Sequence, residues 1–256
     1  MSQPKGRTLP LSLPRRFICD LLHAARRVPT VPVQRRLDLA AVVAARQAAA
    51  PRPSWPAIFT KAYAFVCAAR PELRRSYLSF PRPHLYEHPI AVASVAVERR
   101  FGDEDAVFFG HVNSPEAQSL ADLDRRLRSF KELPLEQVGG FRHALRVSAL
   151  PRPLRRLAWW VGLNVSGRKR AHFMGTFGVS VYAGLGAASL HPLSPLTTTL
   201  NYGVIGPDGG ADVRLIYDHR VMDGATVARA LQALERVLQC EIVAELRYLR
   251  SVETAA

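Results

Sequence analysis

The C-terminal stretch "IYDHRVMDGAT", Ile216–Thr226, joins two segments of different periodicity. The segment before it, "ADVRLIYD", alternates its side chains between two faces as a β-strand does, whereas "GATVARALQALERVLQ" carries an apolar stripe at helical spacing. His219 is therefore predicted at the end of a strand. Asp223 is predicted directly before the final helix, where an aspartate is a favourable N-cap. Gly224 allows the chain to turn tightly there.

A histidine and an aspartate four residues apart at such a turn have two interpretations. Taken singly, neither needs a function, since Asp223 can be a helix cap and His219 an ordinary surface or core residue. Short connections at strand ends commonly carry functional groups, because the scaffold holds them in place. The pair in its strand–turn–helix setting therefore indicates a candidate site in which His219 accepts a proton.

The rest of the chain alternates between helical and strand patterns, with no internal repeat and no low-complexity linker. Ser54 and Ser114 are predicted as N-caps of two helices, each with a proline in the first turn. Strands are predicted in "VPVQRRLDL", "PIAVASVAVER", "DAVFFGHV", "GTFGVSVYAGL" and "TTTLNYGVIG". The pattern favours one α/β (α+β) domain over residues 15–256, with a mixed sheet flanked by helices, after a flexible arm at residues 1–14.

The composition argues against several classes of protein. Of 256 residues, 48% are hydrophobic, which is typical of a globular chain. The net charge is +14, but no nucleic-acid-binding motif accompanies it, so we expect no nucleic-acid partner. No apolar run reaches the roughly 20 residues that span a bilayer and no signal peptide is evident, so we expect a cytoplasmic protein. Cys19, Cys67 and Cys240 are far apart and are predicted to be buried free thiols.

Residues 136–172 are helical in pattern and strongly basic. Trp159 and Trp160, flanked by arginines within residues 153–170, would fit a helix lying on a membrane surface. The alternative is an ordinary helix whose tryptophans pack in a core or a subunit interface. We favour that second interpretation.

The string "DHRVMDGA" resembles the C-terminal motif of the dihydrolipoamide acyltransferases, the core subunits of the 2-oxo acid dehydrogenase complexes. The wider superfamily, which includes chloramphenicol acetyltransferase, shares an HxxxDG signature. "GTFGVSVYAGLG" resembles a GTF-containing strand of the family, and "HPLSPLTTTLNYGVI" resembles its proline-containing segment and the strand that follows. The resemblance covers residues 15–240 and is weakest in 132–172.

The resemblance implies a chloramphenicol acetyltransferase-like fold, assembled as a homotrimer with a substrate channel between subunits. His219 would be the general base that takes the thiol proton of coenzyme A or dihydrolipoamide, so that sulfur attacks an acyl carbonyl. Ser180 matches the position whose hydroxyl hydrogen-bonds the tetrahedral oxyanion across the subunit interface. Asp223 would hold the site loop through an arginine, for which Arg15 and Arg16 are candidates. Coenzyme A is thus implied as a substrate, and no metal is implied.

Two departures from the family leave the substrate open. The resemblance begins near residue 15, so we expect no lipoyl domain and no lipoyl attachment in this chain, and residues 136–172 do not match the family's usual segment. We therefore predict a stand-alone acyltransferase that uses acyl-coenzyme A, or another acyl carrier, and an unidentified acceptor. The alternatives are a dihydrolipoamide acyltransferase served by a lipoyl carrier in trans, and a catalytically silent trimeric scaffold or binding module with the same fold.

Overall fold

The structure, a computed structural model, describes residues 6–254 and the side chains of residues 6–249. Its strands are β1 (Thr30–Asp38), β2 (Arg75–Leu78), β3 (His84–Glu87), β4 (Val92–Phe101), β5 (Glu104–Asn113), β6 (Phe177–Val179), β7 (Thr198–Tyr202) and β8 (Gly210–Asp218). Its α-helices are α1 (Leu13–Ala25), α2 (Ala40–Ala48), α3 (Trp55–Ala69), α4 (Leu120–Glu132), α5 (Gly139–Ala149), α6 (Arg152–Asn164), α7 (Gly167–Met174), α8 (Gly224–Val237) and α9 (Val243–Thr254). Residues 1–5 of the predicted arm lie outside the described residues, and the division into arm and domain stays a prediction.

Six strands form one mixed sheet in the order β1-β8-β7-β6-β4-β5. The inner strands β4, β6 and β7 run parallel to one another, and the neighbours β1–β8, β7–β8 and β4–β5 are antiparallel. The short strands β2 and β3 form a separate antiparallel pair, for which the sequence pattern gave no signal. The predicted fold class, a mixed sheet flanked by helices, is confirmed.

Helices cover both faces of the large sheet, and β5 shows how the two faces are divided. Phe108 packs into the larger apolar cluster, to which α3, α4 and α8 contribute. The next residue, Phe109, points to the opposite face and packs against a smaller cluster built from α1, α5, α6 and α7. The sheet is therefore buried on both sides along this strand.

The two tryptophans of α6 have different environments. Trp159 is 3% exposed, and its ring lies 5.2 Å from the Phe17 ring of α1 and 5.0 Å from the Phe173 ring of α7, measured between centroids. Trp160 is half-exposed and lies edge-on to Phe80. The core-packing interpretation is confirmed for Trp159. Within residues 6–254, no helix is long and apolar enough to cross a bilayer.

The predicted helix start at Ser114 is wrong. Ser114 adopts a left-handed conformation, with φ 43°, before a short 3₁₀ turn, and α4 begins only at Leu120. Ser119 is the N-cap, and its hydroxyl accepts a hydrogen bond from the N–H of Asp122 at 3.1 Å. Both serines precede a helical pattern, and only the second has the extended backbone that a cap requires.

The predicted burial of the cysteines is correct for one of the three. Cys67 is buried within α3, whereas Cys19 and Cys240 are exposed. Both exposed thiols lie on amphipathic helical segments, where an apolar sequence neighbourhood does not fix which face a residue occupies.

Candidate active site

His219 directly follows β8, at the end of the sheet where β8 ends and its neighbour β7, together with β6, begins. Its backbone N–H donates to the carbonyl oxygen of Pro29 at 3.1 Å, which ties the residue to the chain just before β1. The imidazole is 49% exposed, and its centroid lies 5.4 Å from that of the Tyr217 ring. A fixed backbone thus presents the imidazole at the surface, where a reacting group can approach it.

An ion pair that was not predicted from the sequence holds this turn in place. Asp218 is completely buried, and its carboxylate accepts hydrogen bonds from Nε and Nη2 of Arg220 at 2.9 and 2.7 Å. The backbone N–H of Arg220 also donates to Asp218, at 3.0 Å. The guanidinium lies over the Tyr77 ring, 4.1 Å from its centroid. Bidentate pairing of this kind is strong and geometrically specific, so it holds the residues on both sides of His219. The signal was present in the "DHR" string itself.

A second buried arginine approaches the same turn from α7. Nη1 of Arg170 donates to the carbonyl oxygen of Leu163 at 2.9 Å, and Nη2 donates to that of Pro195. Burial lowers the pKa of Arg170 to about 10, while the charge of Asp218 acts in the opposite direction and that of Arg220 adds to the lowering. Arg170 is therefore still charged at neutral pH, and the buried carboxylate lies in the field of two cations.

Asp223 occupies the predicted N-cap position of α8 without making the predicted capping bond. Its backbone carbonyl accepts from the N–H of Thr226 at 3.0 Å, but its side chain makes no cap hydrogen bond and is 86% exposed. Oδ1 lies 3.7 Å from Nδ1 of His219, which is a loose electrostatic contact and too long for a hydrogen bond. Asp223 therefore faces the imidazole from the solvent side.

The arginine partner expected for Asp223 is not found within one copy of the described chain. Arg15 lies 4.0 Å from a carboxylate oxygen of Glu104, and Arg16 donates to the carbonyl oxygen of Leu11. Both arginines belong to α1, which packs over β5 and α5. β5 is an edge strand, and three strands separate it from β8.

Ser180 directly follows β6, so it lies at the opposite end of the strands from His219. Its N–H donates to the carbonyl oxygen of Leu200 at 3.1 Å, which continues the pairing between β6 and β7. Its hydroxyl makes no hydrogen bond to any described residue. The residue lines a cavity of about 270 Å³ between α1 and the sheet, together with Ile18, Ser94 and Thr199. Ser180 thus has a free hydroxyl beside open space.

The register of the sheet fixes the separation between Ser180 and His219. Val179, the residue before Ser180, pairs with Leu200 of β7, and Leu200 pairs with Leu215 of β8. Ser180 is therefore in register with Arg214 of β8, two strands away. His219 comes five residues later along β8. At about 3.3 Å per residue and about 4.8 Å per strand, the two α-carbons lie roughly 20 Å apart. One copy of the chain therefore does not bring Ser180 and His219 to the same reacting group.

One more histidine, His191, lies close to the end of β8. Nε2 of His191 and the hydroxyl of Thr30 are hydrogen-bonded at 2.8 Å, and Thr30 pairs with Asp218 in the sheet. His191 is distant from the motif in sequence, and it comes near only because β1 pairs with β8. Among the side chains of residues 6–249, no group of three His, Cys, Asp or Glu is arranged to hold a metal ion.

The chain matches no protein-family model and no curated protein sequence, whereas its fold is similar to that of several solved structures. A dihydrolipoamide acetyltransferase from Azotobacter vinelandii matches with a TM-score of 0.69 at 18% identity, over 94% of each chain. A probable dihydrolipoamide acetyltransferase from Listeria monocytogenes matches with a TM-score of 0.67 at 18% identity, over 91% of this chain and 94% of that one.

A third similar structure is a truncated catalytic core of the 2-oxoacid dehydrogenase multienzyme complex from Thermoplasma acidophilum. It matches with a TM-score of 0.66 at 16% identity, over 92% of this chain and 99% of that one. All three similarities extend over nearly the whole chain, so the resemblance predicted from "DHRVMDGA" is confirmed at the level of the fold. This chain has the fold of the dihydrolipoamide acetyltransferase core.

Proposed function

We propose that this protein is an acyltransferase that moves an acyl group between coenzyme A, or another carrier thiol, and an acceptor, with His219 as the general base. The observation that carries the proposal is the half-exposed imidazole at the end of β8, on a turn held by the buried Asp218–Arg220 pair. The fold supports it, since the similar structures include dihydrolipoamide acetyltransferases. In the Azotobacter enzyme, a serine, a histidine and, four residues later, an asparagine have been investigated for their roles in catalysis. Here His219 and Asp223 have the same spacing.

Acyl transfer to a thiol needs a base of the kind that an imidazole supplies. A free thiol ionises near pH 8.5, so at neutral pH it must lose its proton in order to attack. The imidazole takes that proton, the sulfur attacks the acyl carbonyl carbon, and an electron pair moves onto the carbonyl oxygen. The tetrahedral intermediate then expels the other thiolate, which recovers the proton from the imidazolium. Such general-base assistance contributes about 10²–10⁴ in rate.

Asp223 orients the imidazole in this mechanism and exchanges no proton with the substrate. Its carboxylate is on the Nδ1 side of His219, at 3.7 Å. A negative charge there favours the tautomer that carries its proton on Nδ1, which leaves Nε2 free to accept the thiol proton.

The oxyanion donor in this proposal is Ser180 of a second copy of the chain. Its hydroxyl has no partner among the described residues and lies beside a cavity. Because Ser180 and His219 of one copy are roughly 20 Å apart, they can act on one carbonyl only across an interface between copies. A homotrimer, as the resemblance implies, would contain three such sites. One oxyanion donor is worth about 10²–10³ in rate.

Two assays test this proposal. The first uses mass spectrometry to detect transfer of the acetyl group from acetyl-coenzyme A to dihydrolipoamide. The second measures release of the coenzyme A thiol from acyl-coenzyme A substrates of increasing chain length. We expect His219→Ala to lower the rate by about 10²–10⁴ while the melting temperature stays near that of the wild type. His84→Ala, which changes an exposed histidine of β3, is the matched control and keeps wild-type activity. Equal and measurable rates for the wild type and His219→Ala would eliminate the catalytic assignment of His219, whereas no transfer by the wild type with any acyl-coenzyme A tested would favour the scaffold alternative.

A further inference from the structure

The helices α5, α6 and α7 surround a groove of about 700 Å³ that the proposed acyl transfer does not use. Apolar side chains from all three helices form its wall: Val147, Leu154, Leu157, Ala158, Val161 and Phe173. The polar side chains around it are basic or imidazole groups: His143, Arg168, Lys169 and His172. Its volume is within the range of about 300–1,000 Å³ that holds small organic ligands.

The apolar wall remains open to solvent. Leu154 is 52% and Leu157 56% exposed, and with Val161 they occupy one side of α6 at spacings of three and four residues. At Gly162 a Cβ would lie 2.9 Å from the Phe173 ring, so α6 and α7 pack tightly against each other where both line the groove. A contiguous exposed apolar surface of this kind is favourable in water only when a ligand or partner covers it.

The basic side chains at the groove have no acidic counterpart. Neither Arg168 nor Lys169 has a hydrogen-bond or ion-pair partner among the described residues. Both stand in the first turn of α7, where positive side chains oppose the helix dipole, so their position does not stabilise the helix. From Val138 to Pro207 the sequence contains no aspartate or glutamate, but eight lysines and arginines. The nearby Arg155 and Arg156 are already paired with Asp20 of α1.

We propose that this groove binds a fatty acid with a medium or long alkyl chain, with the alkyl chain against the α6 wall and the carboxylate between Arg168 and Lys169. The carboxylate accepts charge-assisted hydrogen bonds from the two cations, and the alkyl chain covers the exposed leucines. The groove is lined by three helices, α5, α6 and α7, which favours one alkyl chain lying between them over the contact that a single helix makes with a bilayer. The proposal does not depend on the acyl transfer assigned to His219.

The binding test is isothermal titration calorimetry of the whole protein with decanoate, dodecanoate and tetradecanoate below their micelle concentrations. We expect one site per chain and up to about a fourfold gain in affinity for each added methylene. Arg168→Gln/Lys169→Gln is expected to weaken dodecanoate binding about tenfold and to leave binding of neutral 1-decanol unchanged. The matched control, Arg229→Gln/Arg236→Gln, makes the same charge change on exposed positions of α8 and keeps wild-type affinity.

A second pair of variants tests the apolar wall. Leu157→Glu places a charge on an exposed position of the wall and is expected to abolish dodecanoate binding, whereas Leu85→Glu, at a similarly exposed position of β3, is expected to leave it intact. Dodecanoate binding that is equal in the wild type and both groove variants would overturn the proposal. Binding of anionic phospholipid vesicles without any binding of monomeric fatty acid would also overturn it, and would assign this surface to a bilayer.

Discussion

His219 depends for its position on its two neighbours in the chain. Asp218 is a completely buried carboxylate, and Arg220 supplies three hydrogen bonds to it while covering the Tyr77 ring. A buried charge of this kind is tolerable only because a cation compensates it, and removing one partner leaves the other unpaired. The geometry of the proposed base is therefore determined by side chains that do not themselves take part in proton transfer.

The pair can be measured by a double-mutant cycle. Asp218→Ala and Arg220→Ala are each expected to lower the free energy of unfolding by about 2–3 kcal/mol, slightly less than for a fully buried pair because Arg220 is 30% exposed. The double variant is expected to lose about 1–3 kcal/mol less than the sum of the two. Guanidinium unfolding of the four proteins gives the interaction energy, with Arg229→Ala on α8 as the control. Strictly additive losses would mean that the pair contributes nothing to this turn.

Among helices and strands, the sequence predicts well where the pattern is strong and long. The strands β4 and β5 and the apolar stripe of α8 are found where they were expected. The predicted strand in "GTFGVSVYAGL" is shorter than expected, because the chain leaves the sheet after Val179. The four-residue strands β2 and β3 are too short to give a periodic signal.

In the candidate site, the residues of the turn are predictable from a local motif, whereas their contacts with distant parts of the chain are not. His219 and Asp223 were found from a local motif, since both belong to one turn. The approach of Arg170 to Asp218 depends on how α7 docks against the sheet, and no spacing in the sequence encodes it. The turn is therefore predictable from the sequence, whereas most of the contacts that hold it in place are not.

The corrected start of α4 can be checked with two serines. Ser119→Ala removes the hydroxyl that accepts from the N–H of Asp122, and is expected to lower the free energy of unfolding by about 1 kcal/mol. Ser114→Ala removes no capping bond and is expected to change it by less than about 0.5 kcal/mol. Chemical unfolding of both variants measures the difference. A larger loss of unfolding free energy for Ser114→Ala than for Ser119→Ala would mean that Ser114 is the N-cap of this helix.

For the protein as a whole, the buried His88 and the partly buried His111 make stability depend on pH. Burial is the main cause that lowers the pKa of His88 and of His111 to about 4, and nearby cationic groups add to it. In the unfolded chain a histidine has a pKa near 6.5. Between about pH 4 and 6.5 the unfolded state therefore binds more protons than the native state, so stability falls as the solution is acidified through this window.

Replacing one of these histidines should flatten that dependence. His111→Leu is expected to reduce the slope of unfolding free energy against pH between 4.5 and 6.5 by up to about 1.4 kcal/mol per pH unit. His84→Leu, at an exposed position, leaves the slope unchanged. Guanidinium unfolding at several pH values gives the slopes. An unchanged slope for His111→Leu would mean that this histidine is protonated in the folded protein.

The proposed site needs two copies of the chain, since Ser180 and His219 lie at opposite ends of the strands in one sheet. Co-expression of Ser180→Ala with His219→Ala tests it, because a mixed oligomer can place the intact serine of one copy against the intact histidine of another. In a randomly mixed cyclic trimer about one quarter of the interfaces are intact, so we predict about one quarter of wild-type acyl transfer, well above either variant alone. If mixed oligomers, verified by mass spectrometry, are no more active than the better single variant, Ser180 and His219 do not act together across an interface between copies.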